Sequence, residues 1–362
     1  MGVQVTDSFC RCLKDFPQHH FVVVLTDSFS RTVEDLKQVN NVSTVQYLIT
    51  NSLETLFFGR DQFLDSLIKK YKIDGVLSMF APTRWNPKVP HLAGFALAQL
   101  VIPESPFYRI MNLKEMIKQR VRNAIWTHYF HTGTHYLYTE NPFITERLKK
   151  KWKDFQVITV TNYYNQVFDN PDRWIEKKLP DFDGTTILTL SRNNKHKYIT
   201  ILPKVSRILQ EMHPDFKFRF VLPETEDNFA IEEDVKQHFC LIGVLPVETC
   251  PSVYSQCDLA FQPILLECFT ATFPESMRMR KPIIACNLDF AKGLCGNAAL
   301  YFDWDKPEQA ADLIYKVATL PDVSHRMIEE GSNQLANFDN YDERARKLIS
   351  ALEILIKKKT LY

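Results

Sequence analysis

The chain has 362 residues, long enough for two domains, and its 45% apolar and 24% charged residues are typical of soluble globular proteins. The formal net charge of +1 gives no overall field that would attract nucleic acid, so we expect no nucleic-acid partner. No run reaches the roughly 18 apolar residues needed to span a bilayer.

In the first half of the chain, short apolar runs predict strands and amphipathic stretches predict helices. The opening residues 1–16 are predicted as the end of a loop followed by a helix, because Val5, Phe9 and Leu13 share one helical face. Strands are predicted at residues 21–25, 74–80, 89–95, 134–138 and 155–160, and helices at 61–71 and 112–126.

The same alternation returns in the second half of the chain. Strands are predicted at residues 185–191, 216–222, 240–243, 258–264, 282–286 and 299–302, with helices between them. Alternating strands and helices indicate a parallel sheet covered on both faces, so two such series predict two α/β domains.

A polar segment with two prolines, residues 163–184, separates the two series. It is followed much later by a helix with one apolar face, which ends the chain and which we expect to pack back on the first domain. We therefore predict a first domain at 1–165, a linker at 166–184, a second domain at 185–338 and this helical segment at 339–362.

Cations follow the first predicted strand of the second domain. Arg192, Lys195 and Lys197 lie directly after residues 185–191, and ligands of parallel α/β sheets bind at the carboxyl ends of strands. Fixed cations there can neutralise a diphosphate leaving group. A solvated basic loop is the alternative, and for these residues taken alone it is the commoner case.

Two glutamates eight positions apart follow the strand predicted at 258–264. Pro274 suits the start of a helix, which places Glu275 in a first turn, while Glu267 lies in the preceding loop. A carboxylate favoured by the helix dipole and a surface carboxylate are the structural alternatives. A first-turn carboxylate also lies beside free backbone N–H groups that bind phosphate, and it can accept both hydroxyls of a ribose.

Residues 185–315 resemble the nucleotide-binding domain of retaining glycosyltransferases of family 4, which have the two-domain GT-B fold. That family carries two glutamates with seven residues between them, as Glu267 and Glu275 have here. Its arginine and lysine, five positions apart after the first strand, match Arg192 and Lys197, and "KPIIAC" and "CGNAALYFD" match in order and spacing.

The resemblance implies a role for each matching residue. Arg192 and Lys197 would hold the donor diphosphate. Glu275 would bind the ribose hydroxyls, and Glu267 would lie against the donor sugar, near the positive charge of an oxocarbenium-like transition state. The backbone amides of Phe269, Thr270, Ala271 and Thr272 would approach the sugar and phosphates, and Gly243 and Val244 would border the base.

The chain departs from the family pattern at several places. Thr270 and Tyr198 stand where the family often has glycine. The first domain has no His-Asp pair of the kind that touches the donor sugar in many members. The family's first strand and its glycine-rich loop have no counterpart, so we expect the natural product to begin earlier.

The first domain offers further candidates for binding. Arg84 and Trp85 follow a predicted strand and are predicted to line an acceptor site, with His91 as a third candidate; a surface loop with a buried tryptophan is the alternative. His128, His131 and His135 have spacing that could serve a metal, but packed or capping histidines are the commoner case. The helix predicted at 112–126 is basic on one side and apolar on the other, which fits either a membrane contact or a core helix.

Eight scattered cysteines include no C-x-x-C pair, so we interpret them as reduced thiols and expect a cytoplasmic protein, with the inner face of a membrane as a second expected location. The resemblance implies a metal-independent retaining hexosyltransferase without a cofactor. It would move sugar from a nucleotide-diphosphate sugar to a carbohydrate or lipid-linked acceptor in polysaccharide or glycolipid synthesis. The alternatives are a GT-B sugar-nucleotide epimerase and a catalytically impaired sugar-nucleotide-binding protein.

Overall fold

Every strand pair in the residues that this computed structural model describes, 2–26, 36–47 and 59–360, is parallel. In chain order the strands are β1 (Phe21–Leu25), β2 (Val42–Gln46), β3 (Val76–Ala81), β4 (His91–Phe95), β5 (Tyr136–Thr139), β6 (Gln156–Thr159), β7 (Thr185–Leu188), β8 (Phe218–Leu222), β9 (Phe239–Leu241), β10 (Leu259–Gln262), β11 (Ile283–Cys286) and β12 (Ala299–Phe302). Parallel strands need crossover connections, which explains the alternation with helices along the sequence.

Helices lie in most of the described crossovers and at both ends of the described chain. They are α1 (Gly2–Arg11), α2 (Gln62–Tyr71), α3 (Leu113–Thr132), α4 (Pro142–Lys151), α5 (Leu202–Met212), α6 (Cys250–Ser255), α7 (Thr272–Arg278), α8 (Asp289–Cys295), α9 (Pro307–Thr319), α10 (Pro321–Leu335) and α11 (Tyr341–Thr360). Each strand predicted from the sequence is present, whereas β2 was not predicted. Its sequence, VSTVQ, carries only two apolar residues, and all of its residues are partly exposed or exposed.

The chain divides into two units. The first comprises Met1–Val101, Asn112–Asn162 and Asp339–Tyr362, and the second comprises Ile102–Met111 and Tyr163–Phe338. In the first unit, a four-stranded sheet has the order β3-β4-β5-β6, and β1 and β2 form a separate pair. Phe9 and Leu13 of the predicted N-terminal face are buried in one cluster with Leu348 of α11, so the expected apolar face of α1 is confirmed.

The second unit contains a six-stranded sheet with the order β12-β11-β10-β7-β8-β9. Since β7 comes first in the chain, this is the doubly wound 3-2-1-4-5-6 order of Rossmann-like domains. The crossovers after β7 and β10 lead away in opposite directions. The gap between these two central strands is therefore the switch point, where such sheets bind their ligands.

The segment predicted as a linker, residues 166–184, is part of the second unit. It forms short 3-10 turns at Gln166–Asp169 and Pro171–Arg173. Val167 is buried in a cluster with Tyr254, and the indole N–H of Trp174 donates to the carbonyl of Val167 at 2.7 Å. A few apolar residues within this polar stretch thus hold the segment in place. They lack the periodicity from which a helix or strand can be predicted.

Residues Ile102–Met111 belong to the second unit, although the first domain was expected to run without interruption to residue 165. The hydroxyl of the buried Ser105 donates to the carbonyl of Leu265 at 2.7 Å. The second unit therefore takes one short segment from within the sequence of the first.

A buried ion pair holds α11 within the first unit. The guanidinium of Arg344 lies 2.8 Å from Oε1 of Glu140 and donates to Oδ1 of Asn162 at 3.1 Å. Both charged side chains are almost completely buried. Removing one partner from such a pair leaves an uncompensated charge in a poorly hydrated site.

We predict that Arg344→Met destabilises the first unit by about 3–5 kcal/mol, which corresponds to a fall in melting temperature on the order of 10 °C. Arg346→Met, on an exposed position of the same helix, is the matched control and should change the melting temperature little. Thermal denaturation followed by circular dichroism measures both. Equal melting temperatures for the two variants would contradict a structural role for the pair.

Candidate functional site

The loops that follow β7 and β10 meet at the switch point of the second unit. The amide of Leu265, in the loop after β10, donates to the carbonyl of His196, in the loop after β7, at 2.8 Å. The loop after β7 forms a 3-10 turn over Lys195–Lys197. These backbone contacts bring together side chains that are about 70 positions apart in the sequence.

Glu267 and Lys197 form an ion pair in this place. Nζ of Lys197 lies 2.7 Å from Oε1 of Glu267, and Nε2 of His196 lies 3.3 Å from the same oxygen. Burial alone would raise the pKa of Glu267, but Lys197 and then His196 outweigh it and hold the pKa below its usual value. Glu267 is therefore a charged carboxylate in a nearly enclosed position.

The second carboxylate oxygen of Glu267 is free to accept another donor. Oε2 is buried and has no hydrogen-bond partner among the residues that the structure describes. A buried acceptor without a partner is unfavourable. Oε2 can therefore accept a hydrogen bond from a ligand hydroxyl or N–H group that reaches it.

Glu275 lies in the first turn of α7, as predicted, although this helix begins at Thr272, two residues before Pro274. The carboxylate is buried, and the hydroxyl of Tyr254 lies 3.4 Å from its Oε2. Burial raises the pKa of Glu275 to about 7, against a smaller lowering by the Tyr254 hydrogen bond. Glu275 is thus poised to titrate near neutral pH.

The four amides that precede and open α7 were predicted to face the sugar and phosphates. Within the described ranges, no acceptor takes a hydrogen bond from the N–H groups of Phe269, Thr270, Ala271 or Thr272. Thr270 is fully buried, its hydroxyl lies 3.0 Å from that of Thr272, and its φ is not positive. Threonine can therefore stand at this glycine position of the family without backbone strain.

Tyr198 stands at the other position where the family often has glycine, and here the backbone is left-handed, with φ of 50° and ψ of 29°. A residue with a Cβ costs roughly 1–2 kcal/mol in this conformation. The Tyr198 ring lies 6.2 Å from that of Trp304. The turn that positions Lys197 thus keeps the backbone geometry of a glycine.

Arg192 lies at the same edge of the sheet, and its partner there was not predicted from the sequence. Nε of this exposed side chain is 3.9 Å from Oε1 of the buried Glu224, and the amide of Asn193 donates to the same oxygen. The carbonyl of Glu224 accepts from the amide of Gly243 at 3.0 Å. Glu224 therefore connects the loops after β7, β8 and β9, and the only sequence signal was a carboxylate shortly after a predicted strand.

Gly243 and Val244, predicted to border the base, follow β9 at the same edge. Gly243 has a φ of 71°, and a Cβ built there meets nothing within 4 Å. Val244 is an exposed apolar residue. The backbone at Gly243 therefore has open space beside it.

In the first unit, the structure separates the three predicted acceptor residues. Arg84 and Trp85 follow the carboxyl end of β3; the guanidinium of Arg84 lies 5.5 Å over the ring of Tyr129, and the indole N–H of Trp85 donates to Asp65 at 3.0 Å. His91 instead opens β4, at the amino end of the sheet. It is buried against the hydroxyl of Ser78 at 2.8 Å, and burial lowers its pKa to about 4. We therefore remove His91 from the acceptor site.

The histidines near the end of α3 pack against aromatic rings. His135 stacks on Phe155 with ring centroids 4.6 Å apart, and His131 lies edge-on to Trp152 at 5.1 Å. In the part of the chain that the structure describes, no three His, Cys, Asp or Glu side chains form a group that could hold a metal ion. The eight cysteines all lie in the described ranges, and none of them forms a disulfide there. None of the described helices has the length and hydropathy needed to cross a membrane.

Residues 171–334, most of the second unit, match the family model described as "Glycosyl transferases group 1". The matched segment includes all the candidate donor-site residues. A search of curated proteins found no match. The family match therefore supports a glycosyltransferase through this unit.

Solved structures resemble nearly the whole chain. The similar structures include a glycosyltransferase from Rickettsia africae (TM-score 0.66, 14% identity, 98% of this chain and 95% of that one). They also include a sucrose-phosphate synthase from Thermosynechococcus elongatus (TM-score 0.66, 13% identity, 94% of this chain and 100% of that one). A third is a UDP-forming α,α-trehalose-phosphate synthase from Burkholderia vietnamiensis (TM-score 0.67, 10% identity, 94% of this chain and 99% of that one). The chain has the GT-B fold. At these identities the likeness shows the fold, while the chemistry depends on the residues of the site.

We predict that the burial of Glu275 makes stability depend on pH. Because the pKa is raised from 4.5 to about 7 on folding, the folded state retains this proton more tightly. The resulting stability is present below pH 4.5 and is lost as pH rises to about 7. Glu275→Gln mimics the protonated form, so its melting temperature relative to wild type should rise by about 5 °C between pH 5 and pH 8.

Thermal denaturation at the two pH values measures this difference. Glu308→Gln, at an exposed first-turn position of α9, is the matched control and should show no such rise. A Glu275→Gln difference that is the same at both pH values would contradict the raised pKa.

Proposed function

We propose that the protein is a retaining glycosyltransferase of family 4 that moves a hexose-type sugar from a nucleotide-diphosphate sugar to an acceptor hydroxyl. The observation that carries the proposal is the meeting of Glu267, Lys197 and Glu275 at the switch point of a sheet in a GT-B fold. The match of residues 171–334 to the group 1 glycosyltransferases supports it.

The donor diphosphate would bind between the loop after β7 and the start of α7. Lys197 supplies a nearly buried cation, Arg192 an exposed one, and the amides of Phe269–Thr272 supply donors without acceptors. Together they can neutralise the charge that develops on a departing nucleoside diphosphate. This supply of positive charge is our reason for proposing a metal-independent reaction.

The ribose would bind Glu275. An ionised carboxylate can accept from both ribose hydroxyls, and these hydrogen bonds favour the charged form that burial now disfavours. Gly243 and Val244, at the open edge beyond β9, would then border the base. Binding would thus lower the pKa of Glu275 and offset the free-energy cost of burying its ionised form.

The donor sugar would lie against Glu267, whose Oε2 accepts a sugar hydroxyl and whose charge stabilises positive charge at the anomeric carbon. The bond from this carbon to the phosphate oxygen breaks, and the nucleoside diphosphate leaves with the electron pair. The acceptor oxygen bonds to the same face of the sugar, and its proton passes to the departing phosphate oxygen. The anomeric configuration is then retained.

The acceptor would bind the first unit, with the loop that carries Arg84 and Trp85 as the contact. A guanidinium stacked on a tyrosine and a partly exposed indole are suited to sugar rings and charged groups. A carbohydrate or lipid-linked sugar fits these contacts. We propose polysaccharide or glycolipid synthesis on the cytoplasmic side as the setting.

We predict that one nucleoside diphosphate among UDP, GDP and ADP raises the melting temperature by several degrees at saturating concentration, while CMP does not. Glu275→Ala should lose this shift because the ribose loses its acceptor. Glu308→Ala, at an exposed first-turn position, should keep it. If no nucleotide shifts the wild type, the proposed donor site is wrong.

We further predict a split between chemistry and binding once the donor is known. Glu267→Gln should lower kcat about 100-fold or more, while nucleotide affinity is kept or strengthened because Lys197 loses its competing carboxylate. Lys197→Met should lower both kcat and nucleotide affinity. Lys204→Met, on an exposed residue of α5, is the matched control and should change neither kcat nor nucleotide affinity.

Nuclear magnetic resonance of the donor incubated alone separates the alternatives. A transferase releases the nucleoside diphosphate by slow hydrolysis, an epimerase changes the sugar configuration, and an impaired binding protein leaves the donor unchanged. With an acceptor present, the coupling constant of the new anomeric proton reports the configuration. Inversion would contradict the proposed stereochemistry.

A further inference from the structure

Helix α3 has apolar residues on two sides, and one side packs into the first unit. Phe130 is buried with its ring 5.2 Å from the rings of both Phe95 and Trp152. Nearer the start of the helix, the buried Gln119 donates to Asn123, which donates in turn to the carbonyl of Gln99. These contacts fix which face of α3 points inward.

Four aliphatic residues lie on the opposite side: Leu113, Ile117, Val121 and Ile125. They are 70%, 55%, 56% and 48% exposed. A spacing of four residues keeps them on one broad helical face, along about 18 Å of the axis. We name this row the α3 stripe. Single exposed aliphatic residues are common, but four in register on one helix are an unpartnered surface.

Cations border the α3 stripe. Lys114, Lys118 and Arg120 are exposed on the same helix. The one acidic residue of α3, Glu115, accepts from the amide of Asn112 at 2.9 Å in a capping box. A local positive charge therefore surrounds the stripe, although the whole chain carries a net charge of only +1.

The combination of an aliphatic row with neighbouring cations indicates what kind of surface the α3 stripe binds. Helices that lie in a membrane interface place aliphatic residues toward the acyl chains and lysines or arginines toward anionic headgroups. A second copy of the chain would bring the same cations against each other, and like charges placed together are unfavourable. The charge pattern therefore favours an anionic lipid surface over self-association.

We propose that the α3 stripe docks the protein on an anionic membrane surface, with α3 lying in the plane of the interface. The inference is independent of the donor site. If the proposed function also holds, docking places the acceptor loop near the lipid, because Arg84 lies over Tyr129 of α3 and Asn86 donates to the carbonyl of Thr132 at 2.9 Å.

Vesicle flotation of the full chain, without nucleotide, tests the proposal. The wild type should float with vesicles of 30% phosphatidylglycerol in phosphatidylcholine and at least tenfold less with phosphatidylcholine alone. The double variant Ile117→Ser, Val121→Ser should bind the anionic vesicles at least tenfold more weakly. Ile354→Ser is the matched control, since Ile354 is also a 55% exposed isoleucine on a helix of the first unit, and it should bind as the wild type does.

Two further measurements complete the test. Lys118→Glu with Arg120→Glu should weaken binding, and added salt should weaken the wild type, because screening acts on the headgroup contacts. The stripe variants should keep the wild-type melting temperature, which excludes unfolding as the cause of lost binding.

The proposal is overturned if the wild type does not float with anionic vesicles, or if the stripe variant and Ile354→Ser bind equally. It is also overturned if sedimentation shows that the wild type is a dimer that binds no vesicle and that the stripe variant is a monomer. The stripe would then bind a second copy of the chain. Nucleotide-induced thermal shifts are measured separately, so failure of docking and failure of the donor site remain distinguishable.

Discussion

The candidate site depends on the ion pair between Lys197 and Glu267 at the switch point. The pair exists because β7 and β10 are neighbours in the sheet although 70 residues separate them, so their loops end side by side. Lys197 keeps Glu267 ionised despite its enclosure, and Glu267 in turn compensates the charge of a nearly buried cation. Neither side chain would be stable there alone, and each leaves capacity for a ligand.

Other buried carboxylates place the surrounding loops around this pair. The Glu224 carboxylate accepts from the amide of Asn193 beside Arg192, and its carbonyl accepts from the amide of Gly243, so the loops after β7 and β9 share one anchor. Glu275 is held by α7 and Tyr254 on the other side. The arrangement is fixed by backbone contacts, which makes the positions of these charges a property of the fold.

Much of the fold could be predicted from the sequence, because apolar runs and amphipathic stretches alternate clearly from β3 to β12. The order of the strands could not be predicted, since it depends on packing between distant segments. The contact between His196 and Glu267 depends on that order, so it was not predicted either. Glu224 was not predicted as a site residue because its neighbours Pro223, Thr225 and Glu226 are typical of a solvated loop. Periodicity correctly predicted α3, but only the neighbouring side chains decide which of its two apolar faces is buried.

Three buried carboxylates of the second unit carry an energetic cost that a suitable ligand would offset. Oε2 of Glu224 and Oε2 of Glu267 are buried without partners in the described chain, and burial brings the pKa of Glu275 to about 7. The two unpartnered oxygens and the buried Glu275 carboxylate would each be stabilised by a ligand that brings hydroxyl or N–H donors. Nucleotide sugars carry these donors on the base, the ribose and the sugar, together with a diphosphate that suits Lys197 and Arg192. A ligand of this kind would therefore couple binding to stability through the same side chains.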